Sequence, residues 1–132
     1  MPRPPSDILT EREAQLMDVL WNRGQATAEE VREALADRPH DSTVRTLLRT
    51  LESKGYVAHA VQGKSYIYRA AQARDRVQRG AVRSFVTRLF GGSAEDLVLR
   101  LLEDEQITPA QLAEIRQAAV KPRKQRRKGG SQ

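Results

Sequence analysis

Between residues 41 and 70 the apolar pattern changes from helical to alternating across a single glycine, and few small folds accommodate that order. Val44, Leu47, Leu48 and Leu51 recur at i, i+3, i+4 and i+7, which lays one apolar stripe along a helix. Lys54-Gly55-Tyr56 then supplies a glycine able to take the left-handed cap conformation. Val57-Ala58-His59-Ala60-Val61 and Ser65-Tyr66-Ile67-Tyr68-Arg69 read as two short strands joined by Gln62-Gly63-Lys64, a hairpin with a basic tip.

The polar side of this helix carries Ser42, Arg45, Thr46 and Arg49, hydroxyls and planar guanidiniums where an ordinary surface helix usually has Glu and Lys. Taken alone such a face is more often a solvated surface; the hairpin beside it is what points to a polar, anionic partner. Two more helical patterns precede it. Thr10 and Glu13 form a capping-box pair ahead of Ala14, Met17, Leu20 and Trp21, and Thr27 with Glu30 repeat the device ahead of Ala28, Val31, Ala34 and Leu35. Pro39 breaks the chain, and Asp41 or Ser42 is expected to cap the third helix. Helix, helix, exposed-face helix and hairpin is the order of a winged helix-turn-helix, in which the third helix enters the major groove and the wing rests on the backbone.

After Ala70 the character changes. Val77, Ala81, Val82, Phe85, Val86, Leu89 and Phe90 form a helical stripe stopped by Gly91-Gly92; Ser93 caps a helix carrying Ala94, Leu97, Val98, Leu101 and Leu102. Thr108-Pro109 opens a third, with Gln111 in the capping-box position and Leu112, Ile115 and Ala119 expected to be buried. Three helices this short cannot enclose so much apolar surface alone, so residues 73–119 read as a dimerisation unit, with Val82, Phe85, Val86, Leu89, Phe90, Leu97, Val98 and Leu101 at the interface. Packing back on the first domain is the alternative use of the same surface. Residues 121–132 are basic and have no apolar residue beyond Pro122; they read as a disordered tail, either a phosphate anchor or a solubilising segment.

The net charge of +6 does not by itself argue for nucleic acid. Residues 1–70 hold ten Lys/Arg and ten Asp/Glu, residues 71–120 hold seven of each, and all six excess positive charges lie in residues 121–132. The case for the folded part rests on placement: Arg45, Arg49, Lys54 and Lys64 cluster around the groove face, and Glu52 is the only acid in residues 42–64. Cysteine is absent, which excludes disulfides, zinc thiolates and thiol catalysis. No apolar run approaches the roughly 20 residues needed to span a bilayer, and the start lacks a signal-peptide core, so a cytoplasmic protein is expected. His40 and His59 are the only near-neutral bases, neither in a metal-site or nucleophile spacing, and no phosphate-binding glycine loop occurs; no cofactor, no metal and no enzymatic activity are expected. Trp21, Tyr56, Tyr66 and Tyr68 sit at core or strand positions, where packing is favoured over base stacking.

Leu9-Thr10-Glu11-Arg12-Glu13, Val19-Leu20-Trp21, Thr43-Val44-Arg45-Thr46-Leu47-Leu48-Arg49-Thr50-Leu51, Gly55-Tyr56-Val57 and Phe90-Gly91-Gly92 together resemble the penicillinase repressor family, which also includes methicillin-resistance and copper-transport repressors. The likeness runs from about residue 7 to residue 119. It implies a homodimeric bacterial repressor: an N-terminal winged helix over residues 7–70 on palindromic operator DNA, and a C-terminal three-helix dimerisation domain over residues 73–119, mainly α with a small β-hairpin wing. By position, Thr43, Arg45 and Thr46 match the family's groove-contacting residues, and Gln62, Gly63 and Lys64 match its wing tip. With Ser42, Arg49, Thr50 and Lys54 these make up the expected DNA-binding set. Copper-responsive members carry cysteine pairs that this chain lacks. In β-lactam-responsive members an Asn-Phe bond in the helix after the paired glycines is cleaved, which implies a membrane sensor protease as a partner; Arg100-Leu101 occupies that position here. Two readings of another class stay open from the residues alone: a winged helix used as a protein-interaction module, and a small-molecule-responsive regulator.

Overall fold

A computed structural model describes residues 8–130, with side chains as far as residue 119. Its elements run α1 (Glu11–Arg23), β1 (Gln25–Ala26), α2 (Ala28–Ala34), α3 (Asp41–Lys54), β2 (Val57–Gln62), β3 (Ser65–Ala70), α4 (Arg74–Phe90), α5 (Ala94–Glu103) and α6 (Pro109–Gly130).

All three capping boxes form, the third between Thr108 and Gln111 at 3.1 and 2.9 Å. Thr10 Oγ1 accepts the Glu13 N–H at 3.1 Å while Glu13 Oε1 accepts the Thr10 N–H at 2.9 Å, and Thr27 and Glu30 repeat this at 3.1 and 2.8 Å. The third helix departs from expectation: its cap is His40, whose Nδ1 accepts the Ser42 N–H at 3.1 Å. Asp41 becomes the first helical residue instead, where its charge suits the helix N-terminus and its carboxylate is free to hold Arg45. Gly55 ends α3 at φ 93°, and the Tyr56 N–H reaches back to the Leu51 carbonyl at 3.0 Å, so the chain leaves the helix already aimed into β2.

The hairpin strands pair antiparallel in the register His59↔Tyr68 and Val61↔Tyr66, with the turn at Gly63 and Lys64. A third strand that sequence reading missed, β1, pairs with β3 through Gln25↔Arg69 and Ala26↔Tyr68, giving the order β1-β3-β2. Two residues are too few to carry an alternating pattern. Leu16, Met17, Leu20, Val31, Val44, Leu48 and Leu51 are fully buried, with Ala28, Leu35, Tyr56, Val57 and Tyr68 completing the core. Ala14 and Ala34, expected on buried stripes, face solvent because Leu16 and Leu35 fill those places.

The chain divides into two compact units at Ser84–Phe85, inside α4 rather than between residues 70 and 73. The reason lies at the start of that helix. Trp21 Nε1 donates to the Gln72 carbonyl at 2.9 Å, Arg74 lies 5.4 Å over the Trp21 ring and bonds Asp18 and Asn22, and Val77 packs on the first core. In the second unit only Val86 is buried among the described side chains. Phe85 and Phe90 pack 5.7 Å apart; Leu97, Val98, Leu101 and Leu112 are half-buried. Ile115 and Ala119, expected to be buried, are exposed, since three short helices have no further layer to cover them. The tail read as disordered from residue 121 is helical to Gly130: it continues α6, whose Lys, Arg and Gln are good helix formers. No described helix is long and apolar enough to cross a membrane.

Candidate nucleic-acid interface

At about 100° per residue, burial of Val44, Leu48 and Leu51 fixes which side of α3 faces outward. Ser42, Thr46, Arg49 and Ser53 fall along the middle of that outward side, and all four are exposed. Ser53 was passed over in the sequence because it lies beyond the Arg/Thr cluster, although helical period alone would have found it. Arg45 and Glu52 lie on the flank toward the hairpin, Thr43 and Thr50 on the opposite flank, so the expected contact residues spread across roughly 160° of the helix. Gln62, Gly63 and Lys64 are exposed at the wing turn.

Lys54 does not belong to this set. It lies at the edge of α3 that meets α1, and its Nζ donates to Glu13 Oε1 and Oε2 at 2.9 and 3.0 Å. Glu13 is 3% exposed, and a buried carboxylate requires a partner, so the ammonium is committed to the core and withdrawn from the outer face.

Arg45 is held by its own helix: Nε donates to Asp41 Oδ2 at 2.8 Å across one turn, an ion pair that raises the guanidinium pKa above its already high value. The pairing aligns a planar donor fork at the flank of the helix that faces the hairpin. There a hollow of about 210 Å³ is lined by Arg45, Arg49 and Glu52 from α3 and by His59, Tyr66 and Tyr68 from the hairpin. His59 Nδ1 lies 2.8 Å from both Glu52 carboxylate oxygens, and its ring stacks on Tyr66 at 4.4 Å with 11° between the planes. Burial raises the Tyr68 hydroxyl pKa, and the Glu52 carboxylate adds to the rise. Sequence reasoning missed Glu52, His59, Tyr66 and Tyr68 as a group. The Asp41/Arg45 pair was legible as an i, i+4 spacing, but bringing Glu52 to His59 depends on the hairpin register and on how the sheet meets α3. Among the described residues no group of three or more His, Cys, Asp or Glu is placed to hold a metal ion.

The arrangement is suited to an extended polyanion: two guanidiniums and a row of hydroxyls on a protruding helix, with a lysine at the tip of an adjacent hairpin. A family model described as "Penicillinase repressor" matches residues 9–121. The chain is similar to the methicillin resistance regulatory protein MecI of Staphylococcus aureus, 23% identical over 110 residues that cover 82% of this chain and 89% of that one. It is similar also to the penicillinase repressors of Staphylococcus aureus, 24% identical with 79% and 84% covered, and of Bacillus licheniformis, 25% identical with 83% and 87% covered.

Proposed function

The chain belongs to the penicillinase repressor family and is a transcriptional repressor, not an enzyme, and on that premise we propose that it binds pseudo-palindromic operator DNA as a homodimer. One observation carries the DNA-binding part. Ser42, Arg45, Thr46 and Arg49 stand exposed on a helix whose opposite side is fixed in the core, beside an exposed wing turn bearing Lys64. In this reading α3 lies in the major groove. Arg45 and Arg49 address base edges, Ser42, Thr43, Thr46 and Thr50 secure groove and phosphate contacts, and Gln62, Gly63 and Lys64 rest on the backbone.

Dimerisation is supported by the apolar surface that a single chain leaves open. Val82, Leu89, Leu99 and Ile115 are 56%, 65%, 50% and 48% exposed and Phe85 is 39% exposed, concentrated in α4, α5 and α6. A second copy would cover Val82, Phe85, Leu89, Phe90, Leu97, Val98 and Leu101, with Val86, already buried within the chain, beneath them, and two-fold pairing presents two reading helices to successive major-groove faces. Relief of repression by cleavage at Arg100-Leu101, with a membrane sensor protease as the partner, would act by cutting α5 and so undoing the pair. Losing one of two linked half-site contacts forfeits an avidity gain of roughly 10²–10⁴. The test of the reading is a titration of the full chain against a duplex selected from a random pool and against a shuffled control; equal affinity for the two would refute operator recognition.

A further inference from the structure

Base reading by α3 leaves the floor of the cleft beside it unused. The inner hollow holds two guanidiniums, Arg45 and Arg49, over an aromatic floor of His59, Tyr66 and Tyr68. A second hollow of about 290 Å³ shares Arg45, Tyr66 and Tyr68 and is completed by Lys64, Ser65, Thr27, Ala28 and Glu29. With Arg45 and Arg49 turned to base edges, Lys64, the Ser65 and Tyr66 hydroxyls and a flat ring face remain to suit a phosphodiester: the anion meets the lysine and the hydroxyl donors beside the two guanidiniums, and the attached deoxyribose lies on the ring. Two carboxylates oppose this, and Glu29 is the one at the outer hollow. The Glu52 carboxylate faces the inner hollow, where it would repel a phosphate, and the group that can cancel it is the imidazole 2.8 Å away.

We propose that this cleft seats a backbone phosphate of the DNA strand running between the reading helix and the wing, and that its binding draws a proton onto the Glu52–His59 pair. The proposal rests on the DNA-binding reading above and assigns to it a contact in the cleft between the α3 face and the wing tip. The groups facing His59 are Glu52, Arg45 and Arg49 from α3, and Tyr66, stacked at 4.4 Å, and Tyr68, tilted at 5.8 Å, from β3. Two of these groups, the Arg45 and Arg49 guanidiniums, carry fixed positive charge. A bound phosphate offsets them, so the complex holds more protons than the free protein. By linkage, affinity then rises as pH falls.

The test is a titration of the full chain with a duplex selected from a random pool, at pH 6 and pH 8 and constant salt, for the wild type, His59→Gln and Glu52→Gln. A one-proton linkage gives at most a tenfold change in Kd per pH unit, so the wild type should bind roughly three- to tenfold more tightly at pH 6 than at pH 8. His59→Gln should lose that dependence, and Glu52→Gln, which keeps the imidazole, should bind more tightly than the wild type at pH 8, because the opposing carboxylate is gone. A purely structural role for His59 would weaken binding equally at both pH values and would overturn the proposal, as would a wild type whose affinity ignores pH. A wild type without preference for the selected duplex overturns the DNA-binding reading itself and this proposal with it. Circular dichroism melts confirm that each variant is folded; should His59→Gln fail to fold, His59→Asn takes its place in the same titration.

Discussion

Lys54 Nζ lies 2.9 and 3.0 Å from the two carboxylate oxygens of Glu13, which ties the last turn of α3 to the first turn of α1. The same carboxylate closes the α1 capping box, so one buried group serves two elements. Replacing Lys54 by Met leaves that carboxylate without its cation. Because the Lys54 side chain keeps 29% of its exposure and water can reach it, the cost should be about 1–3 kcal/mol, below that of breaking a fully buried pair. The check is urea denaturation, with a lower midpoint at unchanged slope. An unchanged midpoint would show that the pair contributes nothing net.

Acid should erode stability through the same carboxylate. Burial on its own raises the Glu13 pKa, but the Thr10 N–H and the Lys54 ammonium outweigh it and hold the group below its ordinary value of 4.5. Glu30 is lowered by the Thr27 N–H, and Asp37 by its hydrogen bonds from Arg12. A depressed folded-state pKa means that the unfolded chain takes up protons first. The stabilisation is therefore fully present above about pH 4.5 and is lost as pH falls through the folded values. Glu13→Gln should start less stable at pH 7 and lose less stability on acidification, and acid limbs of equal steepness would contradict this assignment.

Leu89 is the cleanest probe of assembly, because at 65% exposure it buries little within a single chain. Leu89→Asp should therefore leave the melting of the winged-helix unit intact while placing a charge in the proposed interface, which converts dimer to monomer at micromolar concentration. Sedimentation equilibrium distinguishes the two. A monomeric wild type at that concentration would remove the dimer from the account.

Arg100 and Leu101 lie in the last turn of α5, and Arg100 is ion-paired with Glu103 at 3.3 Å. A protease needs extended backbone, so cleavage there requires local unwinding of α5. If proteolysis relieves repression, an immunoblot of cells exposed to a cell-wall antibiotic should show a shorter band rising with derepression. An intact band alongside full derepression would exclude cleavage as the signal.

The trihelical order, the three capping boxes, the Gly55 cap and the hairpin were legible because each is written in residues close in sequence: period, cap and turn are local. The His40 cap was not, since the competition among His40, Asp41 and Ser42 is settled by the turn after Pro39 and by Asp41 finding Arg45. Lys54 looked like part of the outer face because a list of basic residues does not record angle around the helix; its partner lies 41 residues away in sequence. The Glu52–His59–Tyr66 cluster was hidden for a related reason: it exists only once the strand register and the seat of the sheet against α3 are set.

The most direct test of the account is the sequence preference of Arg45→Ala. Arg45 is exposed and braced by Asp41, so its loss should leave the fold intact, and a guanidinium reading guanine contributes about 1–3 kcal/mol of discrimination. The measurement is a parallel titration of wild type, Arg45→Ala and Lys64→Ala against the selected duplex and a panel of single-base variants. The account predicts that Arg45→Ala flattens the differences across the panel at one base pair per half-site, whereas Lys64→Ala weakens every duplex alike and lowers the salt slope by about 0.9. An Arg45→Ala protein with the wild type's affinity and the wild type's ranking of the panel would contradict the assignment of α3 as the reading helix.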